Sequence, residues 1–293
     1  MTTALPRRRL GDLEISAIGF GAMTLTQTPD SDVERGTRAV HAALDAGVTF
    51  FDTADVYGPT GFDVPGGYGV NERALMAALR SWGGPLDDVV VATKGGHTRH
   101  GGTWWIDGSP EHLRAAALAS RERLGLDVLP LYQLRRPDPR RPYRDSLQAL
   151  RDLVDDGVVA RVGISNVDAA QIRLGVEVLG DALVSVQNEY SPLVRSNEAE
   201  IDLCAELGLA HLSWGPFGGM REAKSLGAAL APFAEVAQAR GVSPQRVALA
   251  WQLARSPSIV PIPGASRPES VLDSVQAVAL DLTPEELALL DHS

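Results

Sequence analysis

The sequence predicts an α/β fold, a (β/α)8 TIM barrel that takes residues 1–293 as one domain. Three observations predict it: short apolar runs rich in Val, Ile and Leu alternate with longer amphipathic stretches, there are eight such runs, and the stretches between them tend to stop at glycine. A chain of 293 residues, 44% apolar and 5% aromatic, has the length and the aliphatic core for such a barrel, which takes about 250 residues. An open doubly wound sheet would show fewer strands and a GxGxxG turn. Neither GFGAM at Gly19 nor KGGHTRHGG at Lys94 has that spacing.

In chain order, Arg9 to Glu14 reads as a β-hairpin with a Gly11-Asp12 turn, placed to close the bottom of the barrel. The barrel strands are Ile18 to Gly21, Thr49 to Asp52, Val89 to Lys94, Val128 to Leu134, Ala160 to Ser165, Val184 to Glu189, Ala210 to Ser213 and Ile259 to Ile262. Helix starts are marked by Ser109-Pro110-Glu111, Ser243-Pro244 and Thr283-Pro284-Glu285, each an N-cap followed by proline at the first helical position. Gly47, Gly125, Gly157, Gly208 and Gly241 stand where helices stop and the chain reverses. No linker, low-complexity run or short repeat divides the chain.

Composition excludes several classes of function. Lys and Arg number 27 against 37 Asp and Glu, a net charge of −10 that argues against general binding to nucleic acid or an anionic membrane. Cys204 is the only cysteine, so an intrachain disulfide and a multi-thiolate metal site are ruled out, as befits a reducing, cytoplasmic setting. The opening MTTALPRRRLGDLEIS lacks the apolar run of a signal peptide, and no segment approaches the roughly 20 apolar residues of a membrane span. The six histidines are scattered, and no metal site is expected. The sequence does not indicate an oligomeric state.

In a βα barrel the residues just after each strand converge on one cleft. Here they are Asp52, Lys94, Arg135, Ser165 with Asn166, Gln187, Ser213 with Trp214, and Gly264. Nearly all are polar or ionisable, and Asp, Lys and Arg below a surface need partners, so these positions read as a site.

Several of these segments resemble the aldo-keto reductases. They are FFDTADVYG from Phe50, VVVATKGG from Val89, LYQLRRPDP from Leu131, VGISN from Val162, SVQNEYS from Ser185, LSWGPFGG from Leu212 and PIPGASRPES from Pro261. The resemblance runs from the hairpin to the last helix, each segment at the end of a predicted strand. It implies a catalytic set of Asp52, Tyr57 and Lys94, with Tyr57 as the general acid and a nicotinamide cofactor across the barrel mouth. The fourth member departs: Arg135 stands where the family has histidine.

A phenol has an ordinary pKa of about 10, so Tyr57 needs a neighbouring cation such as Lys94 to become a usable acid, and Asp52 would hold that lysine. Arg135 is permanently cationic and adds to the same field. Three outcomes follow. It stabilises an anionic or strongly polarised substrate oxygen, it drives Tyr57 towards phenolate, or it swings out to pair with Asp138 or another acid. His97 and His100 lie in the loop after Lys94, a setting that points a histidine to solvent more often than to a reacting oxygen.

The resemblance further implies that Ser165, Asn166 and Gln187 hold the nicotinamide carboxamide and that Tyr190 stacks on the ring. Ser213, Trp214, Gly215, Pro216 and Gly218 belong to the pyrophosphate loop, where small residues admit backbone N–H groups to the anion. Gly264, Ser266, Arg267, Ser270, Asp273 and Ser274 would wrap the adenosine. Arg267 suits the 2′-phosphate of NADP(H), with NAD(H) the alternative because Ser266 stands where relatives carry a base. A longer loop after Tyr57, with Phe62 and Tyr68, and the pair Trp104 and Trp105 would wall a pocket for a small-molecule substrate. The expected activity is NADP(H)-dependent reduction of a carbonyl or a polarised C=C or C=N group. The alternatives are a non-catalytic cofactor-binding sensor and a redox-neutral isomerase or epimerase on the same scaffold.

Overall fold

The computed structural model describes residues 5–27, 31–59, 68–100, 103–219 and 226–292. An antiparallel hairpin comes first, β1 (Arg7–Leu10) and β2 (Leu13–Ser16), turning at Gly11. Glycine is required there, because φ is +62° and a Cβ would sit 2.4 Å from Val184 Cγ1.

The barrel strands follow, with β3 (Phe20–Gly21), α1 (Val33–Asp45), β4 (Phe50–Asp52), α2 (Val70–Ser81) and β5 (Val90–Gly95) as the first repeats. A second antiparallel hairpin, β6 (His97–His100) and β7 (Thr103–Ile106), then rises from the mouth before α3 (Pro110–Leu124). Glycine-rich sequence here suggests a loop, but His97–His100 and Thr103–Ile106 pair as strands. Strand β8 (Leu131–Leu134), α4 (Tyr143–Asp155), β9 (Val162–Ser165), α5 (Ala169–Leu179), β10 (Leu183–Gln187), α6 (Glu198–Leu207) and β11 (Ala210–Ser213) continue the alternation. It closes through α7 (Leu226–Ala229), α8 (Ala231–Arg240), α9 (Pro244–Arg255), β12 (Ile259–Pro261), α10 (Pro268–Val275) and α11 (Pro284–Asp291).

The eight strands β3, β4, β5, β8, β9, β10, β11 and β12 pair in parallel in that order. Gly19 and Gly21 N–H groups donate to Pro261 and Pro263 carbonyls at 2.9 and 3.0 Å, joining the first strand to the last. Sheet edges are thereby paired, which is the physical advantage of a barrel.

Side chains alternate across each strand, and the alternation divides the core in two. Phe50, Val90, Ala92, Leu131, Val184, Ala210, Leu212 and Val260 fill the barrel interior, and Leu10 and Ile15 of the hairpin join them from below. Phe51, Val91, Tyr132, Leu134, Ile164 and Val186 face outwards onto the helices. Arg8 fixes the hairpin to the bottom by donating to the carbonyls of Ile259 at 2.6 Å, Leu253 at 2.8 Å, and Ser256. Among the described residues no helix is long and apolar enough to cross a membrane.

Candidate active site

The inward parity that puts Ala92 in the barrel also puts Lys94 there, two residues on, at the mouth. The same parity aims Asp52 after Phe50, and Gln133 after Leu131, to one point. Lys94 Nζ donates to Asp52 Oδ2 at 2.5 Å and to Thr53 O at 2.9 Å. Gln133 and Gln187 donate through Nε2 to the other Asp52 oxygen at 3.0 and 2.9 Å. Lys94 is 1% exposed and Asp52 3%, so each buried charge is matched by the other and by neutral donors.

Above this pair lies Tyr57, its ring centroid 5.3 Å from Lys94 Nζ. Arg135 Cζ lies 4.8 Å from the same centroid and 5.2 Å from that of Trp104. Arg135 has not swung out to Asp138, whose carboxylate accepts from Arg140 at 3.0 Å and is held near pKa 2 chiefly by that bond. Among the described residues, Arg135 Nη1 is buried without a hydrogen-bond partner. Its backbone carbonyl accepts from Asn166 Nδ2 at 2.8 Å, which fixes where the guanidinium leaves the chain.

Asp52, Tyr57, Lys94, Arg135, Ser165, Asn166, Gln187, Trp214, Gly215, Pro216 and Gly264 all line one cavity of about 270 Å³. Ser165 Oγ donates to Gln187 O at 2.6 Å. Asn166 has φ +57°, the only non-glycine residue with positive φ among those described, a conformation asparagine tolerates better than most. The loop after β11 turns through Gly215, Gly218 and Gly219 at φ +60°, +82° and +116°, and the N–H of Gly218 donates to Gly215 O at 2.8 Å. Small residues there leave backbone exposed to the cavity.

Other expected site residues lie elsewhere. Tyr190 does not reach the cavity: beyond β10 its ring turns into the core, stacked on Trp251 at 5.3 Å, with its hydroxyl donating to Glu198 at 3.2 Å. Beyond β10, the aromatic residues that line the cavity are Trp214 and Phe217. Ser213 follows the inward Leu212 and therefore points outwards, within hydrogen-bond distance of His211 Nδ1 at 3.2 Å. Trp104 and Trp105 fall on opposite faces of β7. Trp104 packs with Tyr57, whereas Trp105 is 53% exposed and forms no wall.

Tyr68 ties the end of the long loop to β6, its hydroxyl oxygen accepting from Arg99 N at 2.6 Å, and does not line the cavity. Phe62 lies outside the described residues. Arg267 is the exposed N-cap residue of α10, which has no side-chain cap bond, with Ser266 and Ser270 half-buried beside it. Asp273 turns away to accept from Arg246 at 2.6 Å and from Ser243. Ser274 is buried and lines a separate small pocket with Phe20 and Val48.

Residues outside the expected set also build the site: Met23, Thr24, Arg136 and Phe217 line the cavity, and Gln133 holds Asp52 beneath it. Gln133, a polar residue in an otherwise apolar strand, was the available signal for a partner of Asp52. His97 was expected in solvent but lines the cavity, edge-on to Trp104 at 5.7 Å. Burial first, then Arg135 and Arg136, lower its pKa to about 3, so it is neutral. Behind the site, burial and Glu72 push Asp55 up to about 8, partly offset by Arg123. Glu72 itself accepts from Thr93 at 2.6 Å and Arg123 at 2.5 Å.

Comparison with known proteins agrees with this architecture. The model of the aldo/keto reductase family matches residues 17–293. The chain is 34% identical over 279 residues to 6-dehydroglucose reductase of Novosphingobium aromaticivorans, covering 92% of this chain and 90% of that protein. It is 32% identical over 293 residues to pyridoxine 4-dehydrogenase of Escherichia coli, covering 96% of each. Among solved structures, an aldo/keto reductase from Klebsiella pneumoniae in complex with NADP and acetate superposes with TM-score 0.80 at 25% identity, covering 99% of this chain and 95% of that one. With eight paired strands, a buried Asp52–Lys94 pair at their C-terminal ends and this match over nearly its whole length, the chain belongs to the aldo/keto reductase family and is an oxidoreductase of that family.

Proposed function

We propose that the protein reduces the carbonyl group of a small molecule with NADP(H). The observation that carries the reading is the buried Asp52–Lys94 pair set against Tyr57 in a cavity whose other wall is the glycine loop of residues 215–219. The donor set fits the cofactor. Asn166 and Gln187 suit a carboxamide, and the loop glycines leave space for a pyrophosphate. The uncapped N-terminus of α10, with Arg267 exposed beside it, suits a 2′-phosphate. Its use by a relative solved with NADP supports the same choice.

When bound, the reduced nicotinamide supplies a hydride to the carbonyl carbon. The protein's own work is at the oxygen. Tyr57 Oη gives its proton to the developing alkoxide, completing an alcohol, and Lys94 favours the resulting phenolate by its charge. Asp52 keeps Lys94 in place, and Gln133 and Gln187 keep Asp52 in place. Arg135 adds a second cation over the Tyr57 ring, at the position where the resemblance implies a histidine.

Titration with NADPH and, in parallel, NADH, followed by cofactor fluorescence, tests the reading. Saturable micromolar binding, tighter for NADPH, is expected. No binding of either would overturn it, and binding with no turnover of any carbonyl would favour the sensor or isomerase alternative.

A further inference from the structure

We infer that Arg135 is a substrate anchor, and that the protein selects carbonyl compounds bearing a carboxylate. The inference rests on the reductase reading and names the substrate class of that site. The cavity is lined by one acid, Asp52, and three bases, Lys94, Arg135 and Arg136, in a chain whose net charge is −10. Lys94 neutralises Asp52 at 2.5 Å, so the positive charge of Arg135 is left over inside the cavity wall. Among the described residues it has no carboxylate partner, and its Nη1 is buried without any hydrogen-bond partner. Arg135 is half-buried, and its one buried, unpaired nitrogen carries a desolvation cost that an anion from outside relieves.

The guanidinium is also held in place. Tyr57 and Trp104 rings lie 4.8 and 5.2 Å from Cζ, so two aromatic faces orient it before any ligand arrives. His97 lines the same wall, and neither of its ring nitrogens has a partner. Being neutral, it offers a hydrogen bond without a second full charge. One charged and one neutral donor suit the two oxygens of a carboxylate. A phosphate dianion would call for more donors than this wall supplies. The cavity of about 270 Å³ restricts the substrate to a small oxo acid once a nicotinamide ring shares it.

The test is a titration of the protein, alone and with NADP⁺, by benzoate and by benzamide, its neutral near-isostere, read by tryptophan fluorescence because Trp104 and Trp214 flank the site. Benzoate is expected to bind at least tenfold more tightly than benzamide. Arg135→Gln should remove the preference and Arg135→Lys should keep part of it, which separates loss of charge from a folding defect. His97→Leu should weaken benzoate severalfold while keeping its preference over benzamide. Equal affinities in the wild type, or a preference that survives Arg135→Gln, would overturn the inference. Absence of NADP⁺ binding would defeat the reductase reading, while the benzoate and benzamide titrations of the free protein would still decide the anchor.

Discussion

The guanidinium of Arg135 lies over the ring of Tyr57, 4.8 Å from its centroid, while Lys94 Nζ lies 5.3 Å from the same centroid. The phenol thus sits among two cations of which, among the described residues, only Lys94 has a carboxylate partner. Arg135 adds a permanent positive charge beside the residue assigned to protonate the substrate oxygen. Replacing Arg135 by histidine would put a side chain that can donate without a permanent charge at that position. Turnover of a simple neutral aldehyde should rise by about tenfold or more, within the range attributed to one well-placed general acid. Steady-state kinetics check it, and a variant slower than wild type on every carbonyl would count against the role given to Arg135.

Tyr57→Phe removes the only proton the account assigns to the carbonyl oxygen. The loss should be about 10²- to 10⁴-fold in kcat, with NADPH affinity kept. Cofactor titration beside single-turnover rates separates the two effects.

Asp52 and Lys94 share a buried site, so removing either leaves the other charge unmatched. Asp52→Asn or Lys94→Met alone should each cost about 3–5 kcal/mol, and the double variant less than the sum. Urea denaturation measures this, and strict additivity would contradict the pairing.

His211 is fully buried and, by burial alone, held down to about pKa 3, as is His97 by burial and the nearby arginines. In the unfolded chain both take up protons below about pH 6.5, whereas in the folded chain they do not until about pH 3. Their stabilising contribution is present above pH 6.5 and is lost as pH falls through that window. For each such group, every tenfold rise in proton activity costs about 1.4 kcal/mol. Asp55 has the opposite sign, since a folded value of about 8 makes its contribution largest below pH 4 and lost as pH rises through 8. Asp55→Asn, a mimic of the neutral acid, should therefore remove the fall in stability that Asp55 contributes between about pH 4 and 8 and leave the slope below pH 4 unchanged. Thermal melts across pH decide it.

Trp104 and Trp105 are neighbours in sequence but not in role. Trp105→Ala should change stability by no more than about 0.5 kcal/mol and leave KM unchanged, whereas Trp104→Ala should raise KM by freeing Arg135. Equal effects of the two would contradict the hairpin register.

This hairpin shows where the sequence became hard to read. Strands and caps were legible because each carries a local physical signal: Ser109, Ser243 and Thr283 accept from the N–H groups of His112, Arg246 and Glu286, as expected of N-caps. Gly125, Gly208 and Gly241 end α3, α6 and α8 in the left-handed conformation. Asp52, Lys94 and Gln187 were placed at one mouth because barrel topology alone converges strand ends. Beyond a strand end that argument lapses. Tyr190 is three residues past Gln187, and only packing against Trp251 decides that it turns inwards. The direction of Ser213 followed from the parity of Leu212, a signal present in the sequence but weaker than the motif that drew attention to it. The surroundings of His97 are made by β7, Arg135 and Arg136, which are distant in sequence from one another.

The measurement that bears most directly on the account is a single turnover of NADPH bound to the protein with an excess of 4-carboxybenzaldehyde, run for wild type and for Tyr57→Phe and followed by nicotinamide absorbance. The account predicts stoichiometric oxidation of the bound cofactor by the wild type, formation of the matching alcohol, and a rate at least about 10²-fold lower in the variant. No oxidation by the wild type, or equal rates in the two proteins, would contradict it.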